Sequence, residues 1–82
     1  MKVDILLFAS LKEEVGPSFT IDLGATDEVT VGALREALSR AHPAFSRLGP
    51  RALVAVNEVW AADGDPVRAG SSVAFVPPVA GG

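Results

Sequence analysis

The stretch VGALREALSRAH, residues 31 to 42, repeats apolar side chains at Val31, Leu34, Leu38 and Ala41 and sets Arg35, Glu36, Ser39 and Arg40 against them. That spacing predicts an amphipathic helix with one face for a core. Thr30 precedes it as an N-cap, and His42-Pro43 closes it. The other substantial apolar runs read as strand. The chain must therefore fold as a sheet with one main helix, which can cover only one face and leaves the other open unless a partner covers it.

Residues 2 to 8, KVDILLF, start the sheet, with Val3, Ile5 and Leu7 on one face and Asp4, Leu6 and Phe8 on the wetter one. Ser10 and Glu13 are spaced as a capping box for a short helix that Gly16-Pro17 stops. FTIDL follows as a second strand, with Phe19, Ile21 and Leu23 inward, close enough to pair with the first as an antiparallel hairpin. GATDE reads as a loop and PAFSRLGPR as irregular. ALVAV is a near-continuous apolar run, suited to a strand buried on both faces. Asn57-Glu58 turns it into a short strand, VWAA. DGDP and VRAG are bends, and SSVAFV is the last strand, which Pro77 ends because it cannot donate to a ladder. Phe8, Trp60 and Val76 are candidates for the open face, although Trp60 equally fits packing in a thin core.

With 82 residues the chain makes one domain, and a domain of this size buries only roughly 60% of the surface its unfolded chain exposes. The absence of cysteine excludes disulfides, thiolate metal sites and thiol catalysis, and one histidine excludes a histidine-rich metal site. Seven Lys and Arg against ten Asp and Glu give a net charge of −3, the wrong sign for binding a nucleic-acid backbone. Arg35, Arg40, Arg47 and Arg51 read as a solvated helix face and its exit. The start MKVDILLFAS is too short and too broken by Asp4 for a signal peptide, and no stretch nears the roughly 20 apolar residues of a membrane span. The expected location is cytoplasmic.

Chemistry within the domain is equally constrained. Asp63 and Asp65 flank Gly64 in a turn, Glu13 and Glu14 point apart on a helix, and His42 reads as a helix end favoured by the macrodipole. No nucleophile, base and orienting group assemble, and no glycine-rich phosphate loop is present. A self-contained enzyme is not expected, nor a bound metal.

What remains is the ending, FVPPVAGG. Residues 1–76 form the expected domain and residues 77–82 an extended, flexible tail, which can reach about 20 Å at roughly 3.3 to 3.6 Å per residue. Pro77-Pro78 stiffens its first part and so lowers the entropy lost on threading into a groove. Gly81 and Gly82 let a partner's walls close on the backbone and leave the terminal carboxylate sterically free. That carboxylate is the candidate reactive group.

LLFAS near the start, VGALREAL on the helix, ALVAVNEVW and above all SSVAFVPPVAGG resemble the small subunit of molybdopterin synthase, also called MoaD, among the ubiquitin-like β-grasp sulfur carriers. The similarity runs over essentially the whole chain. It implies an α+β, β-grasp fold: a mixed five-stranded sheet with one main helix on one face. It further implies that Gly82 is adenylated by an ATP-dependent activating enzyme and converted to a thiocarboxylate whose sulfur enters the dithiolene of molybdopterin. Gly81 would serve beside it. The chain itself would bind no cofactor, and the catalytic pocket would lie on the large subunit, the partner in a heterotetramer. Partner contacts implied by the resemblance are Phe8, Lys12, Trp60, Val76, Pro77, Pro78, Val79 and Ala80. The family's acidic turn before the last strand, often Gly-Asp-Glu, is here Gly70-Ser71-Ser72. The alternatives are a carrier for thiamine, cysteine or tRNA thiolation, or a ubiquitin-like modifier joined through Gly82 by isopeptide bonds. Thiamine carriers are usually shorter through the helix region.

Overall fold

The computed structural model describes residues 1–78. The chain runs β1 (Lys2–Leu7), α1 (Ala9–Val15), β2 (Ser18–Asp22), β3 (Glu28–Thr30), α2 (Val31–Ala41), α3 (Pro43–Leu48), a 3-10 turn (Gly49–Arg51), β4 (Leu53–Val56), β5 (Val59–Ala61), β6 (Pro66–Arg68) and β7 (Ser72–Val76). Five strands form one mixed sheet in the order β2-β1-β7-β4-β5, and β3 pairs with β6 in a separate two-stranded ribbon. Within the large sheet β1 and β7 run parallel, while the other neighbours are antiparallel.

Strand parity builds the core. Along β1 every second residue is buried, so Val3, Ile5 and Leu7 face the helices with Val54 of β4 and Val73 and Phe75 of β7. Val31, Leu34 and Leu38 of α2 pack against them, and the Phe45 and Phe75 rings meet edge to face with their centroids 5.3 Å apart. Thr30 caps α2, its Oγ1 accepting from Ala33 N–H at 3.1 Å. The turn at residues 62–65 completes the cap: Val31 N–H donates to Asp65 O and Gly32 N–H to Asp63 O, both at 2.9 Å. Asp63 and Asp65 thus serve a turn that seals a helix end.

Several elements depart from the sequence expectation. Ser10 and Glu13 form no capping box, because the helix already begins at Ala9: the N-cap is Phe8, the one residue between strand and helix, without a side-chain bond, and Ala9 turns the chain at φ 52°. Pro43 does more than end α2. It occupies the first turn of α3, where its missing N–H costs nothing, and α3 then buries Phe45. Ala41 is exposed, so the core stripe of α2 ends at Leu38. β3 and β6 replace the expected loop and bend, joined by Val29 opposite Val67. β4 is buried on one face only, since Leu53 is 60% exposed.

Arg35 also departs from the expected solvated face. Its side chain is only 16% exposed, donates to the carbonyls of Gly49 and Ala52, and pairs with Asp63 at 2.8 Å. One guanidinium thereby joins α2 to the entrance of β4 and to the 62–65 turn.

Gly49 marks the tightest approach. A Cβ there would stand 2.9 Å from Phe45 Cδ1, and that ring is fully buried. Gly49 has helical angles, φ −63° and ψ −38°, so alanine would gain about 0.4–1 kcal/mol from the unfolded state. Overpacking a core costs about 1–3 kcal/mol and wins. Gly49→Ala should lower the melting temperature by several degrees, at about 4–8 °C per kcal/mol. A raised melting temperature would show that the Phe45 ring yields.

Candidate functional site

The helices cover one face of the large sheet, and the side chains of opposite parity define the other. On β1 these are Lys2, Asp4 and Leu6, all exposed. The register carries Leu6 to Ala74 of β7, Ala74 to Ala55 of β4, and Ala55 to Trp60 of β5. One step further along β7, Val76 stands opposite Leu53. Phe8 extends the β1 edge beside it, its N–H donating to Phe75 O at 3.3 Å. Leu6, Phe8, Val76, Leu53 and Trp60 therefore form an apolar surface over one end of the sheet.

Their exposure decides the question that Trp60 raised. Trp60 is 65% exposed and Phe8 46%, whereas Leu34 is wholly buried. Trp60 is not a core residue. Contiguous exposed apolar residues of this kind are typical of interaction surfaces, unlike apolar residues scattered singly. The opposite end of the same face is polar: Thr20 Oγ1 donates to Asp4 at 3.0 Å, and Ser72 lies opposite Asp4 on β7. Farther out, Gly24 N–H donates to Asp22 and holds that carboxyl below its ordinary range.

The apolar end is the end from which the chain leaves. β7 stops at Val76, half-buried; Pro77 is buried and Pro78 exposed. Of the two prolines Pro78 is the more exposed. Lys12 is exposed one helical turn beyond Phe8, its N–H donating to Phe8 O at 3.3 Å. Val79, Ala80, Gly81 and Gly82 lie outside the described residues. The structure thus brings Phe8, Lys12, Val76 and Pro78 around the exit of the chain, with Trp60 at the far side of the same patch.

Sequence reasoning missed Leu53, because an unbroken apolar run carries no parity signal. The signal that could have found it is the hairpin turn. Asn57 and Glu58 both take positive φ, 49° and 70°, as a two-residue turn requires. That turn sets Val56 opposite Val59 and Ala55 opposite Trp60, which puts Leu53 on the face of Trp60. Between them lies a groove of about 360 Å³ lined by Leu53, Trp60 and Ala61, with Arg35 and Asp63 at its polar end. Asn57 also ties the turn to β7, accepting from Ser72 N–H at 2.9 Å.

Among the described residues no group of three or more His, Cys, Asp or Glu stands together as metal ligands. Among the described residues no helix is long and apolar enough to cross a membrane.

Comparison with known proteins follows the same lines. The model of the ThiS family matches residues 5–82. SAMP1 from Haloferax volcanii is 34% identical over all of both chains, with a TM-score of 0.82. A Pyrococcus furiosus chain described as molybdopterin converting factor subunit 1 is 23% identical, covering 96% of this chain and 99% of that one, with a TM-score of 0.80. A chain from the complex of subunits 1 and 2 of molybdopterin-converting factor from Helicobacter pylori is also 23% identical, over all of both chains, with a TM-score of 0.68. No curated protein matches the sequence. The fold is a ubiquitin-like β-grasp.

Proposed function

The chain belongs to the ThiS family, and from that premise we propose that it is a sulfur carrier of molybdopterin synthesis, acting through the carboxylate of Gly82. The observation that carries this reading is the apolar patch of Phe8, Leu53, Val76 and Trp60 gathered at the end of the sheet from which the last residues depart. A surface there seats the domain on a partner while the end of the chain enters that partner's active site.

The chemistry needs little from this chain. The Gly82 carboxylate attacks the α-phosphorus of ATP on an activating enzyme, pyrophosphate leaves, and an inert carboxylate becomes an acyl group with AMP as leaving group. A sulfur nucleophile supplied by the activating system then displaces AMP, leaving a thiocarboxylate. That sulfur is itself a strong nucleophile, so no cysteine is required here. ATP is held by the activating enzyme, the pterin by a large subunit, and the exchange proceeds in the cytoplasm, where ATP is available. Gly81 keeps the approach to the carboxylate narrow, and Pro78, Val79 and Ala80 line the path into the partner.

Reconstitution tests the pathway. The sulfur-loaded chain, mixed with a molybdopterin synthase large subunit and the pterin precursor, should yield the dithiolene. The contrary result is a loaded chain that transfers no sulfur. A second reading, a ubiquitin-like protein modifier, is favoured by the higher identity to SAMP1, 34%, than to the converting-factor chains, 23%. Conjugates joining Gly82 to target lysines would identify it.

The patch makes its own prediction. Trp60 is 65% exposed on the edge strand β5, so Trp60→Ala should leave cooperative unfolding intact. Truncating an aromatic contact of an interface costs more than about 1 kcal/mol, so the substitution should weaken large-subunit binding at least about fivefold. Calorimetric titration checks this, and unchanged affinity would remove Trp60 from the interface.

A further inference from the structure

The chain leaves its fold between two surfaces, and only the apolar one has been given a role. The second is a cleft of about 310 Å³ lined by Arg47, Leu48, Arg51, Pro77 and Pro78. Its wall comes from α3 and the following 3-10 turn, on the helical side of the sheet. Among the described residues four of the five arginines have an acidic partner: Arg35 with Asp63, Arg40 with Glu36, Arg47 with Glu14 and Arg68 with Glu28. Arg51 has none there, and it is exposed.

In a chain of net charge −3, a cation is more easily paired than left alone. Arg47, its neighbour in the cleft, is held by a two-point bond to Glu14, 2.9 Å to each oxygen, and so adds no free charge. Arg51, without an acidic partner among the described residues, shares the cleft with the apolar side chains of Leu48, Pro77 and Pro78, beside which a bound anion would be partly shielded from water and the pairing strengthened.

We propose that this cleft is a second docking point, taking a carboxylate-bearing segment of the enzyme that activates the end of the chain, with Arg51 as its charged contact. The inference rests on the reading of Gly82 as the activated group. A protein carboxylate suits the site better than the nucleotide does. For Gly82 to be processed it must be drawn into the enzyme, and the four residues after Pro78 then span about 13–14 Å. That carries the α-phosphate well away from Arg51. An enzyme that encloses the drawn-out chain must meet both surfaces flanking Pro78, and Arg51 gives its second wall a charge to recognise.

The test is ATP–pyrophosphate exchange by the source organism's adenylating enzyme, with the full chain as variable substrate. Arg51→Glu should raise the KM for the chain about tenfold with kcat within about twofold, because a rim charge acts on encounter and affinity rather than on chemistry. Arg51→Lys should restore most of it. The penalty should shrink as salt rises toward about 0.5 M, which a structural defect would not do. Equal melting temperatures for the three chains establish that the fold is kept. Exchange that Arg51→Glu leaves unchanged overturns this inference alone. Absence of exchange with the wild-type chain overturns the reading of Gly82, and this inference with it.

Discussion

A chain lacking Gly82 folds like the full-length protein and supports no adenylation. The core is complete within the described residues, from Val3 to Phe75, so stability is expected to be unaffected. The loss is one of position. On the proposed seating through Phe8, Val76 and Trp60, the new terminal carboxylate falls one residue short, about 3.3–3.6 Å. A misplacement of about 1 Å can already cost roughly a hundredfold in rate. ATP–pyrophosphate exchange should fall to background, and one residue added after Gly82 should do the same by moving the carboxylate too far. Gly81→Val should fail for another reason: a β-branched side chain adds bulk in the narrow channel proposed for the partner and restricts the accessible torsions. Wild-type exchange by the Gly82 deletion would move the chemistry elsewhere.

Leu38→Asp unfolds the domain. Leu38 is wholly inaccessible, in a cluster with Leu34, Phe45 and Phe75. Losing the side chain alone costs about 2–5 kcal/mol, and an unpaired carboxylate adds several more or must take up a proton. At about 0.05–0.15 kcal/mol per residue, an 82-residue domain has roughly 4–12 kcal/mol in all. The variant should lose its cooperative thermal transition, as read by circular dichroism. Leu38→Ala, which lacks the charge, should retain a transition at lower temperature. A Leu38→Asp chain that melts like wild type would contradict the packing of α2 on the sheet.

The readability of these elements in the sequence followed the length of their patterns. β1 alternates over six residues, and the α2 stripe spans two turns with Thr30 as cap, so both were legible. The strands of the β3–β6 ribbon are three residues each, with a single inward valine apiece, and no period can be read from one position. α3 was hidden because Pro43 signals both the end of one helix and the start of the next. The helix pattern places Arg35 on the solvated face because its partners, Gly49, Ala52 and Asp63, are far along the chain and two of them are backbone carbonyls. The open face was legible from Asp4, Leu6 and Phe8 sharing parity. Leu53 was not, since ALVAV gives no alternation and only the turn at Asn57-Glu58 fixes which side each residue takes. Arg51 looks like any charge near a helix exit until the pairing of the other arginines is known.

The central claim concerns one carboxylate, and its mass reads it most directly. The intact chain, incubated with ATP, the adenylating enzyme and a sulfur donor, should gain about 16 Da as one oxygen is replaced by sulfur. The gain should depend on ATP and map to the C-terminal peptide containing Gly82. An unchanged mass after ATP has been consumed, or a shift mapping to any other peptide, would contradict it.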